Sequence, residues 1–162
     1  MLGIILAIIS GAAMSIQGVF NTRVSEKIGV WETNTIVQGS AFVLALLIML
    51  MLRNGNYSEL RSVNKIYLLG GAIGVVITYT VMAAVGSLGP TFGISIILIS
   101  QLLTAGIIDA FALFDSEKIR FAAHNYLGII LMIVGIIIFK FFSLATLLEP
   151  DQFWRMKLED IS

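Results

Sequence analysis

Five apolar runs, each close to twenty residues long, dominate this chain: 2–20, 33–52, 66–86, 91–114 and 123–142. Wound as a helix, a segment of that length crosses a hydrocarbon core of about 30 Å, and its backbone groups bond one another where lipid offers them nothing. Each run is too long and too evenly apolar to be a half-buried strand. The expected fold is an all-α integral membrane protein with five transmembrane helices. Composition agrees, since 58% of the 162 residues are hydrophobic and 12% are charged, whereas a soluble domain carries about a quarter of its residues as charges. The expected organisation is one transmembrane domain, 1–142, followed by a short C-terminal tail, 143–162.

The same inventory excludes several classes of function. Ten Lys+Arg balance ten Asp+Glu, so no basic excess points to nucleic acid, and the surrounding partner is the lipid bilayer. The absence of cysteine removes disulfides, thiolate metal sites and thiol catalysis. With His124 the sole histidine, a His-pair metal site is excluded too, and neither a metal nor a cofactor is expected. No H-E-x-x-H, G-x-S-x-G or P-loop pattern occurs, and no nucleophile, base and orienter set is in view, so an enzyme is not expected. The first run begins at Met1-Leu2 without a preceding Lys or Arg, and is read as a retained helix rather than a secretory signal.

Turn and charge chemistry separates the runs: 21–32 first, then Arg53 through Lys65, then Ser87-Leu-Gly-Pro90, then Asp115 through Arg120. The third connection carries no charge and is expected to be a tight corner, with Pro90 in the first turn of the next helix. Let side A be the side of Met1. Its short loops hold Arg53, Arg61, Lys65, Lys118 and Arg120, against Arg23, Lys27 and Lys140 near side B, which favours side A as cytoplasmic. Counting Arg155 and Lys157 of the tail makes the two sides equal, so the bias is small and insertion in both orientations is open to this chain. In the tail, Phe153, Trp154, Leu158 and Ile161 recur at rough helical spacing among charges. That pattern fits a short interfacial helix with Trp154 at headgroup level, or a partly ordered extension.

Inside lipid each polar side chain needs a partner, and an ionised one costs at least about 2.5 kcal/mol near a helix centre. Helix 1 carries Ser10, Gln17 and Asn21 on one narrow stripe, and helix 2 carries Asn34 and Gln38 four apart. Both sets lie toward side B, where these amides can approach one another. They are read either as interhelical glue worth about 0.6–2 kcal/mol each or as the lining of a substrate cavity. Helix 4 adds Gln101 and Asp109, the latter the one acid well inside a run. An acid near the negative end of a helix dipole is not explained by the backbone. It either exchanges a proton for a cationic substrate or reaches the side A interface toward Lys118 or Arg120. Glycines four or seven apart, among them Gly70 with Gly74 and Gly128 with Gly135, let helices pack closely.

Gln17-Gly-Val-Phe-Asn21-Thr-Arg, Leu69-Gly-Gly-Ala-Ile-Gly74, Gln101-Leu-Leu-Thr-Ala-Gly-Ile-Ile-Asp109 and Gly128-Ile-Ile-Leu-Met-Ile-Val-Gly135 together resemble the YdcZ-type five-helix family of the drug/metabolite transporter superfamily, over about 1–142. In that family's pattern helix 4 begins Gly-Gln and ends Asp-His-Phe-Gly. Here Ser100 precedes Gln101, and Ala110, Phe111 and Ala112 follow Asp109, so the histidine and both glycines are missing. The resemblance implies a secondary transporter of the bacterial inner membrane that exports a small molecule, five helices being half of a ten-helix inverted-repeat plan. The helix 5 glycines are similar to those of the dimerising last helix of the small multidrug resistance transporters, which implies a homodimer, or pairing with a similar chain, packed at Gly128 and Gly135. Helix 1 lacks the membrane glutamate of those exporters, so their mechanism does not carry over. The candidate substrate or coupling residues are Gln17, Asn21, Asn34, Gln38, Gln101 and Asp109. The alternative is a non-transporting assembly or scaffold subunit in which all of these are packing groups.

The charge count generates a test. A single cysteine placed at Asn56, in a chain that has none of its own, is expected to be labelled by a membrane-impermeant maleimide from the cytoplasmic face in a large share of molecules. Labelling from outside alone would overturn the assignment of side A.

Overall fold

Why the helices begin and end where they do is a matter of four or five residues at each corner. In the computed structural model, which describes residues 1–53, 55–119 and 122–147, the five runs are helices: α1 (Leu2–Ile28), α2 (Val30–Leu52), α3 (Gly70–Leu88), α4 (Pro90–Phe111) and α5 (Ala123–Leu147). Among the described residues there is no strand, and five spans are long and apolar enough to cross a membrane. The fold is the all-α, five-span membrane architecture expected from the runs. Helix α5 continues past Phe142 to Leu147; the tail beyond it, with the expected interfacial helix around Trp154, lies outside the described residues.

The chain divides into two compact units, Met1–Ile94 and Ser95–Ser162, with the boundary inside α4. In the first unit α1, α2 and α3 pack on one another. Two single-residue corners shape it. Gly29 alone joins α1 to α2, and Gly89 alone joins α3 to α4. Their backbones match, at φ 99° and ψ 157° for Gly29 and φ 79° and ψ 160° for Gly89, a region open essentially to glycine alone. Their bonding matches as well: each glycine N–H donates to the carbonyl four residues back, Ser25 or Val85, and each glycine carbonyl accepts from the N–H four residues on, Thr33 or Gly93. The Gly89 corner with Pro90 opening α4 is the tight connection expected there. The first connection differs from expectation, because α1 does not stop near Phe20 but runs to Ile28. Arg23 and Glu26 simply ride its last turns as an exposed i, i+3 pair, 3.2 Å apart, since charge at a membrane edge does not unwind a helix.

Close approach of α1 to α3 depends on Gly18, where an added Cβ would sit 3.1 Å from Val81 Cγ1. Gly93 likewise lets the first turn of α4 lie on α3, for a Cβ there would sit 3.2 Å from the Ala84 carbonyl oxygen. On side A, α2 ends at Arg53 in the left-handed region, and two short 3-10 helices, Tyr57–Arg61 and Lys65–Leu69, lead into α3. Each starts from an asparagine cap: Asn56 Oδ1 accepts from the Ser58 N–H at 3.1 Å and Asn64 Oδ1 from the Ile66 N–H at 3.2 Å.

In the second unit α4 ends three residues earlier than the apolar run does, at Phe111. Ala112, Phe114 and Asp115 then adopt positive φ. The loop folds back on the helix end: Ile119 N–H donates to the Asp109 carbonyl at 3.0 Å, and Ser116 Oγ donates to the Ile108 carbonyl at 3.3 Å. The Ala112 backbone (φ 51°) is one that glycine adopts without strain. On α5, Ile129 is buried, and Tyr126, Ile129 and Ile130 face Leu103, Gly106 and Ile107 of α4 across an apolar cavity of about 270 Å³.

Backbone conformation therefore sets opposite signs for two substitutions. Gly29→Ala, whose Cβ would also run into the Glu32 carboxylate, is expected to destabilise by about 1–3 kcal/mol. Ala112→Gly is expected to stabilise by about 0.5–1 kcal/mol. Thermal unfolding in detergent reads both, and a stable Gly29→Ala protein would contradict the corner geometry.

Candidate functional site

A membrane domain turns apolar side chains outward, so what it hides is informative. Among the described residues, those buried and polar are Asn21, Thr22, Thr33 and Asn34, while the buried large apolar side chains of the same unit are Met82 and Val85. All four polar residues belong to the side B part of α1 and α2, on either side of the Gly29 corner. The buried interior of this end holds more polar than large apolar side chains.

Gly29 joins the two helices without slack, and Asn21 and Thr22 before it and Thr33 and Asn34 after it are the polar residues turned inward. Thr22 and Thr33 remove their own cost by donating back along their helices, Thr22 Oγ1 to the Gly18 carbonyl at 2.8 Å and Thr33 Oγ1 to the Gly29 carbonyl at 2.7 Å. Asn34 Nδ2 donates across to the Val75 carbonyl of α3 at 2.9 Å. One turn along, Gln38 Nε2 donates to Thr78 Oγ1 at 3.1 Å, and Thr78 passes its own proton to the Gly74 carbonyl at 2.9 Å. Gly74 lies beside the glutamine, where a Cβ would make an ordinary contact with Gln38 Nε2 at 3.6 Å. Below these bonds, Trp31 of α2 stacks on Tyr79 of α3 with ring centroids 4.9 Å apart and planes at 20°, an offset pair suited to the membrane interface.

One polar atom of this cluster has no partner. Asn34 is 2% exposed, and its Oδ1 is buried without a hydrogen bond, the only such side-chain atom among the described residues. A buried acceptor left unbonded costs about 1–3 kcal/mol, and more where no water can reach it.

The other candidates lie as follows. Asn21 is buried, whereas Gln17, one turn before it, is exposed. The bonds of the α2 amides run to α3 and not to α1, so the expected approach of amides across α1 and α2 takes the form of a seam with Thr78, a residue that spacing on its own helix did not single out. Continuing the Gly70, Gly74 line by one more turn of α3 reaches it. In the second unit Gln101 is exposed and Asp109 half-buried. Because α4 ends at Phe111, Asp109 sits in its last turn and not five residues inside the helix, and its carboxylate makes no hydrogen bond or ion pair with a described residue. Arg120, one proposed partner, lies outside the described residues. Gly128 and Gly135 are exposed, with open space where a Cβ would stand. They lie roughly 80° around α5 from its packed line of Ile129, Met132 and Ile136. No group of three or more His, Cys, Asp or Glu able to hold a metal ion occurs among the described residues.

The comparison with known families decides what kind of protein carries this cluster. The family described as "Putative inner membrane exporter, YdcZ" matches residues 2–138, from the first residue of α1 well into α5. The chain belongs to this family. No curated protein and no solved structure matches it. Membership makes the YdcZ-family chain an inner-membrane protein of an exporter family, a transporter class and not an enzyme class, and it sets the buried amides in the context of a small molecule crossing the bilayer.

Proposed function

We propose that this chain exports a small molecule across the inner membrane as a dimer of oppositely inserted subunits, with a polar chamber between them. The observation that carries the reading is the buried cluster of Asn21, Asn34 and their hydroxyl neighbours in a domain otherwise clothed in apolar side chains. Packing alone needs no acceptor without a donor, and Asn34 Oδ1 is one.

Helix direction supports the antiparallel arrangement. Asn34 stands about 6 Å along the axis from the side B start of α2, and Asp109 about 3 Å from the side A end of α4. Inverting one subunit brings its Asn34, Gln38, Asn21 and Gln17 to the depth of the other subunit's Asp109, with Gln101 near the midplane. A parallel pair keeps them at opposite faces. The balanced Lys/Arg count supports insertion either way round, and the open glycine face of α5 supports contact there, with pairing to a similar chain as the variant of the same plan. The rival, a non-transporting subunit, draws support from the α2–α3 bonds of Asn34 and Gln38, which are what interhelical glue would make.

Reconstituted vesicles separate the two. Asp109→Asn is expected to reduce proton-coupled efflux to background. Gln17→Leu and Gln101→Leu are expected to weaken substrate binding roughly threefold to thirtyfold in protein that stays folded. Gly128→Leu with Gly135→Leu is expected to shift the protein from dimer to monomer in detergent. Full efflux by Asp109→Asn would overturn the site, and an unchanged dimer would remove α5 from the interface.

A further inference from the structure

The hydrogen-bonding capacity of the α2–α3 seam is lopsided. Val75 presents a carbonyl, which can only accept, so the Asn34 group facing it at 2.9 Å has to be the NH2, and the orphan is fixed as the oxygen. Thr78 has given its proton to Gly74, so the Gln38 group facing its hydroxyl has to be the NH2 as well. Both amides, one turn apart on one face of α2, thus hold their donors against α3 and leave carbonyl oxygens without a donor among the described residues. Thr33 and Thr22, whose protons go to Gly29 and Gly18, have only lone pairs left to offer. Asn21, with no described partner, can turn either end of its amide to the seam.

We infer that the substrate is a hydrogen-bond donor, a primary or secondary ammonium, held by Asn34 Oδ1 and Gln38 Oε1. This rests on the export reading and names the substrate class for it. An ammonium head carries two or three N–H groups and no acceptor, which complements the two amide oxygens, whose NH2 groups are turned to α3. An anion brings no proton to these two oxygens and would be repelled by them, and an alcohol brings one O–H donor where an ammonium brings two or three N–H donors. Half-buried Gln38 is the acceptor a ligand meets first, and Asn34, closed off at 2% exposure, is reached when α2 and α3 part at this turn.

The test uses the purified full chain and three probes on one frame: phenethylammonium, its N,N,N-trimethyl analogue with the same charge and no N–H, and 3-phenylpropanoate. Thermal shift and calorimetry are expected to show binding of the primary ammonium, affinity about tenfold or more weaker for the trimethyl analogue, and no binding of the carboxylate. Gln38→Leu and Asn34→Leu are each expected to lose about tenfold or more in affinity for the primary ammonium, while Gln38→Glu, which keeps an acceptor oxygen, retains it. Equal binding of the trimethyl analogue, no binding of the primary ammonium, or unchanged affinity in both leucine variants would overturn the inference. Preferential binding of the carboxylate would overturn it while leaving export standing; export itself fails if the parent chain in reconstituted vesicles shows no efflux.

Discussion

Everything in this structure depends on the absence of water from the bilayer core. Where nothing outside the protein can bond a polar group, each amide and hydroxyl must be bonded from within or stand as a cost of several kcal/mol. The threonines meet the demand locally, by bonding the carbonyl one turn back. The α2 amides cannot do so and reach across to α3. That leaves a small group of atoms whose needs the fold does not meet, and Asn34 Oδ1 is the clearest of them.

Corner geometry turns this constraint into a site. A one-residue link at Gly29 joins the helices that carry the buried Asn21 and Asn34, and a matching link at Gly89 joins α3 to α4. Glycine at 18 and 93 brings the helix backbones close. The same residue type thus serves two purposes, a backbone conformation at 29 and 89 and proximity at 18 and 93. Only the first would be lost outright on substitution by alanine.

Much of this was legible in the amino-acid order, and the parts that were not have physical reasons. Helix number followed from run length, because the bilayer imposes a thickness. The Pro90 corner followed from a connection too short and uncharged to be a loop. The Asn34 and Gln38 stripe followed from four-residue spacing, but spacing shows which face a residue occupies and not which helix meets it, so Thr78 was missed. Helix ends were misjudged where hydropathy and backbone disagree. Arg23, Glu26 and Lys27 are polar yet helical, and 112–114 are apolar yet outside α4, since Ala112 turns left-handed. That difference moves Asp109 from the helix interior to its last turn. Family membership was readable in the four motifs of helices 1, 3, 4 and 5.

The central claim is that Asn34 is kept for a ligand and not for packing, and the sign of a single stability change tests it most directly. If Asn34 is glue, replacing it loses a useful bond; if it holds an unbonded oxygen out of water, replacing it removes a burden of about 1–3 kcal/mol against a lost bond of about 0.6–2 kcal/mol. The measurement is the thermal unfolding midpoint of ligand-free Asn34→Leu against the parent chain, in one detergent. The account predicts a midpoint equal to or above that of the parent; a clear fall would contradict it.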